Sequence, residues 1–219
     1  MTSANPLYPG TSYYKDPGLQ PSLTFCARYQ TQDGRSDVNL CANGINGGQY
    51  GYNNLQWYGM TAYHAFNKNW HISFEAYEEH QDGVPNINNP LVADVIIPNG
   101  GTPFSPQNIP FNAPAGAHCK GQAVFRCQSD SMGALYYLNY SPDALDNISW
   151  RAEYYDDAQG QRTGFAAVYY ETGIGWQHWL SPQIELRPEV VWYHSSIPAF
   201  DLGTKRQQTV FSGDLIWHF

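Results

Sequence analysis

The closing stretch Thr209-Val210-Phe211-Ser212-Gly213-Asp214-Leu215-Ile216-Trp217-His218-Phe219 changes character residue by residue. Phe211, Leu215, Trp217 and Phe219 fall on one side of an extended chain, and Ser212, Asp214 and His218 fall on the other. Successive strand side chains point to opposite faces, so this segment can turn an apolar wall to lipid and a polar wall to an interior. The same alternation recurs upstream, so the fold can be read outward from this end.

Composition narrows what such strands build. The 219 residues allow one large β domain or two small ones. Only 14% of residues are charged and 16% are aromatic, with 17 Tyr and 7 Trp, yet mean hydropathy is -0.50. No run approaches the ~18 consecutive apolar residues of a spanning helix. A membrane crossing must therefore use strands, and lipid accepts strands only as a closed barrel whose apolar residues are diluted by alternating polar ones. The net charge of -8, with 11 scattered basic residues, excludes a nucleic-acid partner, whose phosphates call for clustered Lys and Arg. Met1-Thr2-Ser3-Ala4-Asn5 does not open a charged and then apolar export leader, so a barrel reading expects a mature or truncated product.

Period two predicts eight strands, at about Ser22 to Gln30, Asn54 to Phe66, Trp70 to Glu79, Met132 to Tyr140, Ile148 to Asp157, Phe165 to Leu180, Ile184 to Ser195 and Gln208 to Phe219. Asn67-Lys68-Asn69, Ser141 to Asn147 and Ser181-Pro182-Gln183 read as short turns. Longer segments lie between them, from Thr31 to Asn53, His80 to Ser131, Ala158 to Gly164 and Ser196 to Gln207. Short turns alternating with longer loops is the topology of an outer-membrane barrel, and eight strands put both termini on the periplasmic side. Residues 1-20 read as an N-terminal extension or loop, and 21-219 as the barrel domain with a long loop at about 80-131. Val95-Ile96-Ile97 is expected to anchor that loop.

The faces follow from the same period. Trp70, Ile72, Phe74 and Ala76 face lipid while His71, Ser73, Glu75 and Tyr77 face inward. Trp150, Ala152 and Tyr154 oppose Ser149, Arg151, Glu153 and Tyr155, and Leu186, Val190 and Trp192 oppose Glu185, Arg187, Glu189 and Tyr193. Trp70, Trp176, Trp192 and Trp217 belong towards strand ends, where amphipathic rings favour the interface. Pro188 is awkward, since proline belongs at edges or bulges.

Cys26, Cys41, Cys119 and Cys127 make an even count, with Cys41 and the Cys119/Cys127 pair placed in loops rich in Gly and Pro. Disulfides Cys119 with Cys127 and Cys26 with Cys41 suit an oxidising compartment. A metal site using His118 beside Cys119 has no CxxC spacing or second Cys/His pair behind it, so no metal and no cofactor is expected.

Tyr50 to Gly59, Trp70 to Tyr77 with Val84-Pro85-Asn86, and Leu186-Arg187-Pro188-Glu189 leading to the final segment resemble the OmpL-like outer-membrane β-barrel porins. The terminal Phe219, with Trp217 and Leu215, is similar to the signal read by the barrel assembly machinery. The resemblance implies an all-β, antiparallel transmembrane barrel in a Gram-negative outer membrane, contacting its lipids, with homo-oligomerisation open. Family members are typically longer, which makes this chain look like the C-terminal half of a larger barrel. The size matters, because eight strands enclose a side-chain-filled interior and ~16 leave an aqueous channel. In a larger barrel Arg28, Glu75, Arg151, Glu153, Glu185, Arg187, Glu189 and Asp214 become channel-lining charges; in a small one they pair across an occluded lumen.

The leading expectation is passive diffusion of small hydrophilic solutes or ions. A structural or adhesive barrel displaying its loops is the alternative. A lipid hydrolase using His71 and Ser73 is a third reading, set back because that face points to the lumen. No phosphate loop, HExxH or nucleophile elbow is present, so the chain is read as a non-enzyme.

Overall fold

Alternation is realised as a run of extended strands, and the computed structural model describes residues 23-45, 55-92 and 116-219. The strands are β1 (Leu23–Gln30), β2 (Ser36–Ile45), β3 (Leu55–Ala65), β4 (Trp70–Pro85), β5 (Arg126–Tyr140), β6 (Asp146–Asp157), β7 (Ala167–Ser181), β8 (Ile184–Ser195) and β9 (Gln207–Trp217). They form one sheet in sequence order, every neighbour antiparallel. The expected N-terminal extension and Val95-Ile96-Ile97 lie outside the described residues.

The strand count differs from the expected eight, because β2 occupies what reads as a loop. Its polar residues hide the period: Val38, Leu40 and Ala42 alternate with Asp37, Asn39, Cys41 and Asn43. In the sheet Val38 sits opposite Ala62 and Leu40 opposite Met60, so the weak apolar set lands on one face. A tight turn precedes it, in which Gly34 at φ 69° donates its N–H to the Thr31 carbonyl at 2.9 Å. Cys41 is therefore a strand residue facing Cys26 across β1 and β2, and the two form a disulfide with Cα atoms 4.1 Å apart.

The ninth strand sharpens the alternation of connections and changes where the sheet begins. The strand ends that flank the short connections 31-35, 66-69, 141-145 and 182-183 gather at one end of the sheet, and those that flank the longer connections 46-54, 86-125, 158-166 and 196-206 gather at the other. β1 now starts at the long-loop end, whereas β9 finishes at the short-turn end. The two sheet ends are thus on opposite sides rather than both on the short-turn side, a direct result of an odd strand number. Strands β4 and β5 also outrun their expected ends, reaching Pro85 and Arg126, so the intervening loop is 86-125. A register shift between Gln81 and Val84, with Gly83 at φ 67°, lets this pair continue.

Pro188 lies inside β8, which has partners on both sides. Its missing N–H is accommodated by a gap: the β7-β8 register passes from Gly175 opposite Glu189 to His178 opposite Leu186. On the β9 side Pro188 faces Gly213, where an added Cβ would come within 3.3 Å of the proline Cα.

Burial is inverted relative to a water-soluble sheet. One face carries Ser129, Ser131, Asn139, Asp157, Glu185 and Ser195, all buried. The opposite face carries Trp150 at 41% exposure, Ile174 at 54% and Val190 at 38%, with Phe211, Leu215 and Trp217 more open still. Water would penalise that arrangement, whereas hydrocarbon outside and a wet interior require it.

A small apolar cluster of Val84, Ala117, Cys119 and Cys127 sits at the long-loop end. The Cys119–Cys127 disulfide closes it. Asn86, fully buried beside it, donates to the Gly121 and Val124 carbonyls at 2.9 and 2.6 Å and accepts from the Asn88 and Cys119 amides at 3.0 and 3.3 Å. Four partners for one side chain fix the path of this loop base.

Candidate functional site

The outer face is built in cross-strand rows. Ile72, Leu138, Trp150, Ile174, Val190 and Phe211 make one row across six strands. One row nearer the short turns come Trp70, Tyr140, Ile148 and Trp176, with the Trp70 and Tyr140 rings stacked at 4.4 Å. Two rows the other way stand Ala134, Tyr154, Tyr170 and His194, and Trp192 stacks on His194 at 5.7 Å. Beyond them the face turns polar, with Glu78, Asp156 and the His80–Asp130 pair at 2.7 Å. An apolar band between two aromatic girdles has the form of a lipid-facing surface. Trp70, Trp176 and Trp217 take the expected terminal positions at the short-turn end; Trp192 belongs to the girdle nearer the long loops.

The inner face holds the expected charges. Arg151 reaches from β6 to Glu171 on β7 and, at 3.0 Å, to Glu189 Oε2 on β8. It crosses β7 where Gly173 and Gly175 have no side chain, Gly173 lying directly opposite Arg151. Arg187 is held by Asp214 at 2.9 Å and lies 3.6 Å from Glu185. Glu185, 5% exposed, also pairs with His218 at 3.1 Å. Arg28 pairs with Asp37 near the sheet edge. Glu75 and Glu153 stand on the same face and take no salt-bridge partner among the described residues.

Period-two reading misses several participants. Asp37 is lost with strand β2, and Arg162, which meets Glu79 at 3.2 Å, comes from the 158-166 connection. Glu171 was legible, because the alternation Tyr169, Glu171, Gly173 places it inward within an expected strand. Asp157 is fully buried, and its Oδ2 accepts from the Arg162 and Thr163 amides and the Thr163 hydroxyl at 2.7 to 2.9 Å. Those bonds tie the 158-166 connection to the top of β6, and His118 donates its amide N–H to Gln159 O at 2.7 Å from the stapled loop.

His71 and Ser73 share the inner face, but no hydrogen bond joins them among the described residues. The His71 ring packs 5.5 Å from Tyr63, and Ser73 lines a groove with Thr61, Glu75 and Tyr137. With Cys119 in a disulfide, its sulfur is not a thiolate available beside His118 for a metal. His118 instead contacts Asn88 Oδ1 at 3.1 Å and Gly164 O at 3.2 Å.

With a polar inner face, an apolar outer face and alternating turns in place, the family comparison becomes specific. The family described as "Putative beta-barrel porin-2, OmpL-like" matches residues 25–219. The chain belongs to that family. It is a porin-type outer-membrane protein with an all-β antiparallel fold and two disulfides. No curated protein matches the chain. The family match covers every strand except the first two residues of β1, so the same sequence that earns the match also builds the two-faced sheet.

Proposed function

We propose that this porin-family chain forms the wall of a channel for passive diffusion of small hydrophilic solutes across a bacterial outer membrane. The observation that carries this reading is the inverted burial, with charged and amide side chains shielded on one face and aromatic and aliphatic ones exposed on the other. The match to a porin family supports it. The inner face offers hydrogen-bonding groups and charge to water and solutes, which is what permeation through a barrel needs.

Strand direction says how the wall closes. Both edge strands, β1 and β9, run from the long-loop end to the short-turn end. Joined directly they would make one parallel pair; closure by antiparallel neighbours alone takes an odd number of further strands between them. Lipid leaves no edge unpaired, so one of these two closures must hold in the membrane. The wider closure favours an aqueous pore.

Reconstitution of the full-length protein into planar bilayers tests the proposal. Discrete conductance steps are expected, and a protein that folds, by its heat-modifiable gel migration, yet stays electrically silent would sink it. In that event the stapled loop base around Asn86 and Cys119–Cys127 would favour a barrel that displays its loops. The outer-membrane lipids and the assembly machinery reading Leu215, Trp217 and Phe219 are the partners this proposal needs.

A further inference from the structure

Among the described residues the inner face does not balance its charges, and the imbalance has a definite place. Glu75, Leu135, Glu153, Glu171 and Tyr193 lie on one cross-strand row from β4 to β8. Glu153 stands directly opposite Glu171. Like charges facing each other across strands cost stability, so packing alone does not favour this pair. Arg151 relieves Glu171, but it also binds Glu189, so a single positive charge serves two carboxylates. Arg28, Arg162 and Arg187 are each engaged by Asp37, Glu79 and Asp214. Glu75 and Glu153 are left without a salt bridge among the described residues.

Glu75 also opens onto space. It lines a groove of about 460 Å³ together with Asn39, Thr61, Ser73 and Tyr137. These amide and hydroxyl groups can replace part of the hydration shell of a passing cation while the carboxylate supplies the charge.

We propose that the Glu75–Glu153–Glu171 row makes the channel selective for cations and cationic solutes over anions. The inference rests on the channel reading above. Water-filled walls of one sign raise the local concentration of counter-ions, and low-dielectric surroundings lengthen the reach of that field. Arg151 keeps Glu171 and Glu189 in position, and Glu75 and Glu153 carry the uncompensated charge.

The test is the reversal potential of the full-length protein in planar bilayers under a KCl gradient. Wild type should favour K+ over Cl−, with the preference weakening as salt rises, because screening shortens the field. E75Q/E153Q should lower the K+/Cl− permeability ratio roughly two- to five-fold, with E75Q alone giving part of that change. D201N/K205Q removes a mutually compensated pair in the 196-206 connection and should leave the ratio unchanged. Conductance with no cation preference, or a ratio unmoved by E75Q/E153Q, overturns this inference and leaves the channel reading standing. A folded but silent wild type overturns both.

Discussion

The two faces of one sheet are stabilised in different ways. Along the middle row of the outer face the residues act singly: Ile174, Val190 and Phe211 are each apolar and exposed, as a lipid-facing wall requires. On the inner face they act in sets, since Arg151 belongs to Glu171 and Glu189 together, and Glu185 to Arg187 and His218. Outer positions should therefore tolerate exchange of one apolar residue for another and reject charge. Inner positions should tolerate changes of shape and resist loss of one member of a set.

The largest contrast comes from putting the same charge on each face. Ile174→Arg, mid-row on the outer face, should cost about 2 to 4 kcal/mol of stability near the bilayer midplane. Ser212→Arg, on the inner face within 3.5 Å of Glu189, should cost less than about 1 kcal/mol. Urea unfolding from lipid vesicles measures both, and equal costs would contradict the assignment of faces.

Arg151→Met probes the inner sets. Its partners are largely shielded, with Glu171 13% and Glu189 31% exposed in their side chains. Leaving them together without a cation should cost about 1 to 3 kcal/mol, discounted from the fully buried case for the remaining solvent. Adding Glu171→Gln and Glu189→Gln should recover most of it. A loss that the triple variant does not recover would mean that Arg151 matters for packing rather than charge.

A third prediction separates the sheet from its loop base. Replacing Cys119 and Cys127 by Ser removes a short staple whose chain-entropy contribution is about 2 to 3 kcal/mol. Its effect should be local, so a protease should cut within 86-125 faster while the heat-modifiable core persists. Coincident loss of the barrel would show that the loop base and the wall are one cooperative unit.

The smallest effect is in pH. Asp201 is held below the ordinary carboxylate range by its hydrogen bond and charge contact with Lys205, 2.9 Å away, and Asp33 by the Thr31 hydroxyl. A depressed carboxylate stabilises above its unfolded pKa and loses that contribution as pH falls through the lower folded value. Both turns should thus be unchanged from pH 7 to about 5 and loosen only below about 4, seen as faster amide exchange in 31-35 and 196-206. Loosening near pH 6 would point to another group.

Much of the wall was legible because period two is a local property. Trp70 to Tyr77 and Trp150 to Tyr155 assign their own faces without knowing their neighbours, and the registers agree with them. Strand β2 was not legible, because its apolar residues are small and its inner ones are Asp37, Asn39, Cys41 and Asn43. Only pairing with β1 and β3 makes that pattern a strand. The six residues that extend β4 past Glu79 were hidden likewise, since Gly83 and Pro85 look like turn signals until a bulge accommodates them.

The sequence by itself determined the two-sided character of the strands, the short turns between pairs and the inward position of most charged residues. Each follows from side-chain alternation and turn chemistry within a few residues. Tertiary structure alone decided that nine strands stand in the described sheet, that its edges run the same way, and which carboxylates share an arginine. Register is a relation between strands far apart in the chain. No local pattern states that Glu153 faces Glu171 or that Arg151 reaches past Gly173 to Glu189.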